Sequence, residues 1–143
     1  RSAVAGNLPT SRVAQCHLLR CTRRTRAACN HTDVAARLRS VTDLQNEVLL
    51  QDQTWLDDWA IWAQGAEFEL KQEQKTARYS LYSLALADAL AGYGVLLGHR
   101  VLVKAALKSG ALVAPFAREV DQGKALVLQT SNTAPEGLAR WLV

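Results

Sequence analysis

The stretch that decides the fold covers residues 88–116 and reads DALAGYGVLLGHRVLVKAALKSGALVAPF. The apolar run at 94–98 is too short for a helix and is bounded by glycines, which predicts a buried strand. A helix is predicted before it, ending at Gly92 in a left-handed cap. A second helix over 101–108 is closed by Gly110. Helix and strand alternating within so few residues indicate an α/β layered domain.

Weaker patterns predict the elements around this centre. A short helix is predicted over 34–38, a strand over 48–50 and another strand over 124–129. Ser80 and Ser83 are alternative N-caps for the helix that runs to Gly92. Near the C-terminus, residues 133–136 read TAPE, which predicts a capping box before a short last helix.

Three tryptophans follow one another at helical spacing between these strands. Thr54 is the predicted N-cap of their helix, with Asp57 as its reciprocal partner, and Gly65 is its predicted end. An indole stripe can stack on a base or a sugar, but such stripes more often pack in a core. We therefore interpret the three indoles as core residues; they are Trp55, Trp59 and Trp62.

Length and composition suit one globular domain or two small lobes, since the chain has 143 residues of which 49% are hydrophobic. No apolar run approaches the ~20 residues of a membrane-spanning helix. No apolar leader segment is visible, so a cytoplasmic location is predicted. Methionine is absent from every position, which leads us to expect a fragment of a longer chain.

The positive charge is concentrated at the start of the chain. Eight arginines lie in the first forty residues, where Asp33 is the only acid, and we interpret residues 1–33 as an arginine-rich arm. Such an arm is either solvated and disordered or binds nucleic acid. It contains no aromatic side chain, so it offers nothing for stacking on single strands.

All three cysteines lie in this arm with two histidines beside them, in the spacing C-x4-C-x7-C-x-H. The ligand types suit zinc, but the paired C-x2-C knuckles of strong zinc motifs are missing. The sequence therefore predicts no metal site and no cofactor. The residues concerned are Cys16, His17, Cys21, Cys29 and His31.

A catalytic constellation is not visible either. The sequence contains no G-x-S-x-G, P-loop or H-E-x-x-H motif, so no enzyme is predicted. Asp57 and Asp58 are adjacent and would point about 100° apart on a helix, which does not suit an acid–base pair. His99 directly follows the central strand, where α/β folds place ligands. It is either a pocket residue or an exposed loop histidine.

The ordered set of segments resembles the effector-binding domain of LysR-type transcriptional regulators, with the glycine-cleavage-activator subgroup as the nearest. The resemblance rests on SLALADALAGYGVLLG at 83–98 and LKSGALVAPF at 107–116. It is supported by DLQNEVLLQDQTWLDDWAIW at 43–62, and by KALVLQT and LARWLV near the end. It covers residues 34–143, which we interpret as a partial effector-binding domain.

The resemblance implies a fold and a function. The fold is a periplasmic-binding-protein-like (type II) α/β effector domain, with lobe II nearly complete and lobe I partial. The helix after Tyr79 would present its N-terminus to a small effector, for which an anion is the expected type, with hydroxyls from Ser80, Tyr82 and Ser83 beside it. These hydroxyls either bind effector or only cap the helix. The domains of this family associate side by side, for which an apolar helix face around 101–107 would be suitable.

The chain also departs from the family pattern. The winged helix-turn-helix that contacts DNA in this family is not in the sequence, and residues 1–33 are unlike the apolar strands of lobe I. A frameshifted or truncated reading frame is one hypothesis for that composition. Two alternatives stay open at this point, a stand-alone small-molecule-binding protein and a small α/β domain whose basic arm binds nucleic acid.

Overall fold

In a computed structural model of the chain, the structure describes residues 17–30 and 34–130, with side chains at 24–30 and 34–124. The chain forms two compact units, Thr22–Lys124 and a smaller one composed of Arg1–Cys21 and Ala125–Val143. The smaller unit contributes only two strand ends to the described residues. The predicted capping box at 133–136 and the helix after it lie outside them.

The described elements alternate between strands and helices. The strands are β1 (His17–Ala28), β2 (Leu49–Asp52), β3 (Thr76–Tyr79), β4 (Val95–His99) and β5 (Val120–Thr130). The α-helices are α1 (Val34–Arg37), α2 (Asp58–Gly65), α3 (Tyr82–Leu90) and α4 (Arg100–Ser109), and 3₁₀ turns occupy Val41–Asn46 and Gln53–Trp55.

One mixed sheet organises the larger unit, with the strand order β3-β2-β4-β1-β5. Strand β2 pairs in parallel with both β3 and β4, whereas β4 pairs antiparallel with β1. The three parallel strands therefore end at the same edge, at Asp52, Tyr79 and His99. This edge is where an α/β sheet places its ligands.

Neighbouring residues of each strand pack on opposite faces of the sheet, as the pleat requires. On β2, Leu49 packs with Trp59 and Trp62 of α2, whereas Leu50 packs with residues of α3 and α4 on the other face. Helices cover both faces at the centre of the sheet, where a parallel strand is expected to be mainly apolar. Strand β4 is accordingly buried at all five positions.

Most predicted elements are confirmed, with boundaries moved by a few residues. Strand β4 and helix α4 lie where residues 88–116 predicted them, and Gly92 and Gly110 adopt the left-handed φ values of 84° and 79°. The strand predicted over 124–129 is part of β5. The indoles of Trp59 and Trp62 are core residues as interpreted, and they meet edge to face at 5.7 Å.

The predicted helix starts were wrong. Thr54 is not a cap: its N–H donates to the Asp52 carboxylate, which caps a 3₁₀ turn, and α2 begins only at Asp58. Neither Ser80 nor Ser83 caps α3, because Leu81 is the N-cap residue. In both places an aromatic residue at the turn, Trp55 or Tyr82, is packed against other side chains and fixes the path of the chain.

The end of the predicted arginine-rich arm lies within the sheet. The backbone of β1 over residues 25–28 pairs with β4, and Ala27, Ala28 and Cys29 are fully buried. Arg26 forms an ion pair with Glu119 at 3.2 Å. Uncharged buried side chains alternate here with Arg24 and Arg26, so the arginine-rich composition of the segment did not indicate a strand.

None of the helices in the described part of the chain is long and apolar enough to cross a membrane. Helix α4 exposes Val101 and Leu102 at 54% and 42%, while the next residue, Val103, is buried. The predicted apolar exposed face is therefore present at the start of this helix.

Asp43 caps the 3₁₀ turn after α1 and makes the stability of that turn dependent on pH. The backbone N–H of Ser40, together with that of Arg39, donates to its carboxylate at 2.7 and 2.9 Å and lowers its pKa. A lowered pKa contributes stability above the unfolded pKa, and that stability is lost as the pH falls through the folded value. The Asp43→Asn variant is expected to show a smaller Tm loss than the parent chain between pH 6 and pH 3. An equal loss of Tm in the variant and the parent chain would contradict this. The control is Glu73→Gln, which removes an exposed carboxylate and is expected to lose as much Tm as the parent chain.

Candidate effector-binding edge of the sheet

The His99 cluster consists of Trp55, Asp58, Tyr82 and His99, and it lies where the parallel strands end. His99 is the last residue of β4, Tyr82 is the first of α3, and Asp58 is the first of α2. Trp55 belongs to the 3₁₀ turn that follows β2. Each side chain is therefore carried by the segment directly after a parallel strand or by the strand end itself.

A buried contact between a histidine and a carboxylate is at the centre of this cluster. His99 Nε2 lies 2.9 Å from Asp58 Oδ2, and the two side chains are 7% and 5% exposed. The Nε2–H donates to the carboxylate, which fixes the orientation of the imidazole. A second contact anchors α2 beside it, because Gln122 Nε2 donates to the backbone carbonyl of Asp58 at 3.4 Å.

Two aromatic rings hold the imidazole from the sides. The centroid of the His99 ring is 4.1 Å from that of Trp55 and 5.2 Å from that of Tyr82, the latter in an edge-to-face arrangement. The rings of Trp55 and Tyr82 also meet edge to face at 5.5 Å. His99 is thus a buried residue and not an exposed loop histidine.

The Tyr82 hydroxyl ties α3 to the end of β4. It accepts from the backbone N–H of His99 at 3.1 Å and donates to the carbonyl of Leu97 at 3.4 Å. Burial raises the pKa of Tyr82 above its ordinary value, so the phenol keeps its proton and remains a donor. The first turn of α3 is therefore fixed in position against the end of β4.

The other end of α3 is also fixed. The Tyr79 hydroxyl donates to Asp88 Oδ2 at 2.6 Å, and Asn30 Nδ2 donates to the Leu90 carbonyl at 2.8 Å. Burial, with the hydrogen bond to Asp88, raises the pKa of Tyr79 to about 12. Helix α3 is thus anchored at both ends, and its N-terminus points to the edge at which the parallel strands end.

The cavity inside the cluster is small. It has a volume of about 10 Å³ and is bordered by His99, Tyr82, Asp58 and Asp52 among others. This is room for about one water molecule and not for a metabolite. A larger ligand at this edge would therefore contact the outside of the cluster and the start of α3.

The four site residues named from the sequence fall into two groups. Tyr82 and His99 are brought together in the cluster, whereas Ser80 and Ser83 are exposed beside it, at the start of α3. No side chain caps this helix. The sequence interpretation missed Trp55 and Asp58: the tryptophan was interpreted as core, and Asp58 was judged only by its angle to Asp57. The available signal was that both residues follow soon after β2, whose parallel neighbour β4 ends at a histidine.

Cys29 does not have the character of a metal ligand. Its side chain is fully buried in the core, and burial, with the charge of Glu47, raises the pKa of the thiol to about 11. A zinc ligand is a thiolate, which this environment disfavours. Among the residues that the structure describes, no group of three or more potential metal ligands comes together. The side chains of the other cysteines and histidines of the motif lie outside them.

No protein-family model matches the sequence, and no curated protein matches it significantly. Solved structures do match. The effector domain of the transcriptional regulator AmpR of Pseudomonas aeruginosa superposes with a TM-score of 0.70 at 24% identity, over 89% of this chain and 64% of that one. The fold is that of a LysR-type effector domain. This confirms the predicted periplasmic-binding-protein-like (type II) α/β class.

Two further structures have the same fold. The C-terminal domains of a LysR family protein from Agrobacterium tumefaciens match at 24% identity with a TM-score of 0.63, over 87% of this chain and 61% of that one. Full-length LysG of Corynebacterium glutamicum with bound effector Arg matches at 16% identity with a TM-score of 0.58, over 94% of this chain and 46% of that one.

This chain spans about two thirds or less of each of these three structures. Residues 25–28, which pair with β4, lie in the segment interpreted as an arm. The domain boundary at residue 33 and the nearest subgroup stay predictions.

Proposed function

We propose that the chain is part of the effector-sensing domain of a LysR-type transcription factor, acts in the cytoplasm and performs no catalysis. The observation that carries the proposal is the arrangement at the edge of the sheet. There the uncapped start of α3 lies beside a rigid cluster at the ends of three parallel strands, in the fold of a LysR-type effector domain. Recognition of DNA would belong to a winged helix-turn-helix of the whole protein.

The proposed effector is a small anion that binds at the start of α3. Backbone N–H groups of a first helical turn and the helix dipole favour a negative group. Ser80 and Ser83 are exposed there and have hydroxyls to donate. LysG, which has the same fold, was solved with bound effector Arg, an amino acid that carries a carboxylate.

His99 and Asp58 would position this site without touching the effector. Their side chains are almost fully buried, and the Tyr82 hydroxyl connects them to the first turn of α3. A displacement of α3 by a bound effector would therefore be transmitted to the end of β4. The effector changes the regulator only if it binds two arrangements of it with unequal affinity.

Association of two such domains would use the start of α4. Val101 and Leu102 form an exposed apolar pair there, next to the long side chain of Arg100. Covering apolar side chains of this size with a partner surface lowers the free energy of the associated state. Homo-oligomerisation through this face accords with a regulator that binds DNA in more than one copy.

Isothermal titration of the 143-residue chain with L-arginine, L-glutamate, succinate and benzoate tests the effector site. The Ser80→Ala/Ser83→Ala double variant is expected to bind the best of these carboxylates at least about tenfold more weakly, because two hydrogen bonds to a charged group are lost. The matched control is Ser109→Ala, which removes an exposed serine at the end of α4. Equal affinity in the double variant and the control would contradict the proposed site.

The gene distinguishes the regulator from a stand-alone binding protein. We expect the nucleotide sequence upstream of the Arg1 codon to encode a winged helix-turn-helix in one of the three forward frames. If a start codon directly precedes residues 1–33 in frame and no such segment lies upstream, the chain is instead a small-molecule-binding protein.

A further inference from the structure

We propose that the larger unit carries a second small-molecule site, on the face of β2 and β3 that packs against α2, and that this site takes an amphipathic anion. The expected ligand has a compact apolar body and one carboxylate or phosphate group. The cavity there has a volume of about 440 Å³, against about 10 Å³ inside the His99 cluster. Ligand pockets commonly measure about 300–1,000 Å³.

The floor of this cavity is made by two paired strands. Leu49 of β2 lies opposite Thr76 of β3, and Gln51 lies opposite Arg78. All four line the cavity, as the alternation of side chains along two parallel strands in this register requires. The residues between them, Leu50 and Ala77, pack with α3 on the opposite face. The site and the first turn of α3 thus lie on different faces of the sheet.

The apolar wall comes from α2, the turn before it and the loop before β3. Trp59 is fixed in place because its Nε1–H donates to the Leu50 carbonyl at 3.1 Å. Leu56, which is 53% exposed, and Leu70 complete the wall. A large leucine surface left in water beside a buried indole is the kind of surface that the apolar part of a ligand covers.

The charge at the cavity is positive. Lys71 and Arg78 line it, and every other lining residue is neutral. Across the described parts of the chain, neither of these two side chains forms an ion pair or a hydrogen bond. Two cations without a carboxylate beside a partly apolar cleft raise the local concentration of an anion. An anion with an apolar body would pack against the apolar wall and pair with the two cationic side chains.

This site is a neighbour of the His99 cluster and has its own polar groups. Gln51 and Trp59 border both cavities, whereas Lys71 and Arg78 border only the larger one. Gln51 is held in position, since its Nε2 donates to the Leu56 carbonyl at 2.5 Å. The two proposals therefore depend on different residues, and one can fail without the other.

Chemical-shift mapping on the ¹⁵N-labelled 143-residue chain tests the site with octanoate as the probe and octanamide as its uncharged analogue. Octanoate is expected to shift the amide signals of Gln51, Lys71, Gln72, Thr76 and Arg78, and octanamide is expected to bind at least about tenfold more weakly. The Lys71→Ala/Arg78→Ala double variant is expected to weaken octanoate binding by at least about tenfold.

The matched control is Lys75→Ala, which removes an exposed lysine of the same segment that does not line the cavity. It is expected to bind octanoate like the parent chain. The proposal is overturned if the double variant binds octanoate as tightly as this control. It is also overturned if octanamide binds equally well, or if the shifts are confined to the start of α3. Phenyl phosphate in place of octanoate distinguishes a phosphate ligand from a carboxylate, since the one that binds more tightly identifies the group.

Discussion

Replacing His99 by alanine is expected to lower the free energy of unfolding by about 3–5 kcal/mol, because a buried ring is deleted and its buried hydrogen-bond partner is left unsatisfied. The change takes the ring N–H away from the Asp58 carboxylate, which is 5% exposed. It also removes the ring that packs between Trp55 and Tyr82. Urea denaturation of the parent chain and the variant, followed by circular dichroism, measures the difference.

A second substitution separates the electrostatic part of this loss from the packing part. If much of the cost comes from the buried carboxylate, Asp58→Asn in the His99→Ala chain should recover at least about 1 kcal/mol, because a neutral amide is less costly to bury. The same substitution at the exposed neighbour, Asp57→Asn, is expected to change stability by less than about 0.5 kcal/mol. A double variant no more stable than His99→Ala would assign the loss to packing alone.

The course of the chain could be predicted from the sequence where local signals fix it. The apolar run at 94–98 follows Gly92, where the chain turns with a φ of 84°, and Gly110 ends α4 with a φ of 79° that side chains rarely adopt. These signals act over a few residues and need no knowledge of partners. They identified the central strand and its two helices.

Features that depend on distant partners were not predictable in the same way. Helices α2 and α3 begin at residues other than the ones whose side chains suggest caps, and the aromatic residues near these starts, Trp55 and Tyr82, pack against His99. The pair of Asp58 and His99 joins residues 41 positions apart in the chain. Nothing in either local sequence specifies the other residue, so the centre of the site appears only when the strands are aligned.

Strand β1 was missed for a related reason. Thr25, Ala27 and Cys29 are buried, while Arg24 is exposed and Arg26 pairs with Glu119, the residue before β5. The charge of the segment dominates its composition and suggests a solvated arm. Its small buried residues indicate a strand only once their pairing with β4 is known, where Gly98 leaves space for the side chain of Ala28.

Replacing Gly94 by alanine is expected to be the most damaging single-methyl change in the described part of the chain. A Cβ at this position would lie 2.4 Å from the carbonyl oxygen of Val48 and 3.0 Å from the Leu50 side chain. The Val48 oxygen is backbone and already accepts from the N–H of Val95 at 2.9 Å, at the start of the pairing between β2 and β4. Relief of the clash must therefore move the strand that carries the core, and a loss of about 3 kcal/mol or more is expected.

The control for this prediction is Gly110→Ala, which tests backbone strain without crowding. Gly110 has a φ of 79°, and no atom lies within 4 Å of a Cβ built on it. Only the left-handed conformation is penalised there, at about 1–2 kcal/mol. Urea denaturation of both variants compares the two costs directly. A loss at Gly94 no larger than the loss at Gly110 would mean that β2 and β4 can separate at their first residues without loosening the sheet, and the close approach would then not explain why the chain has glycine at this position.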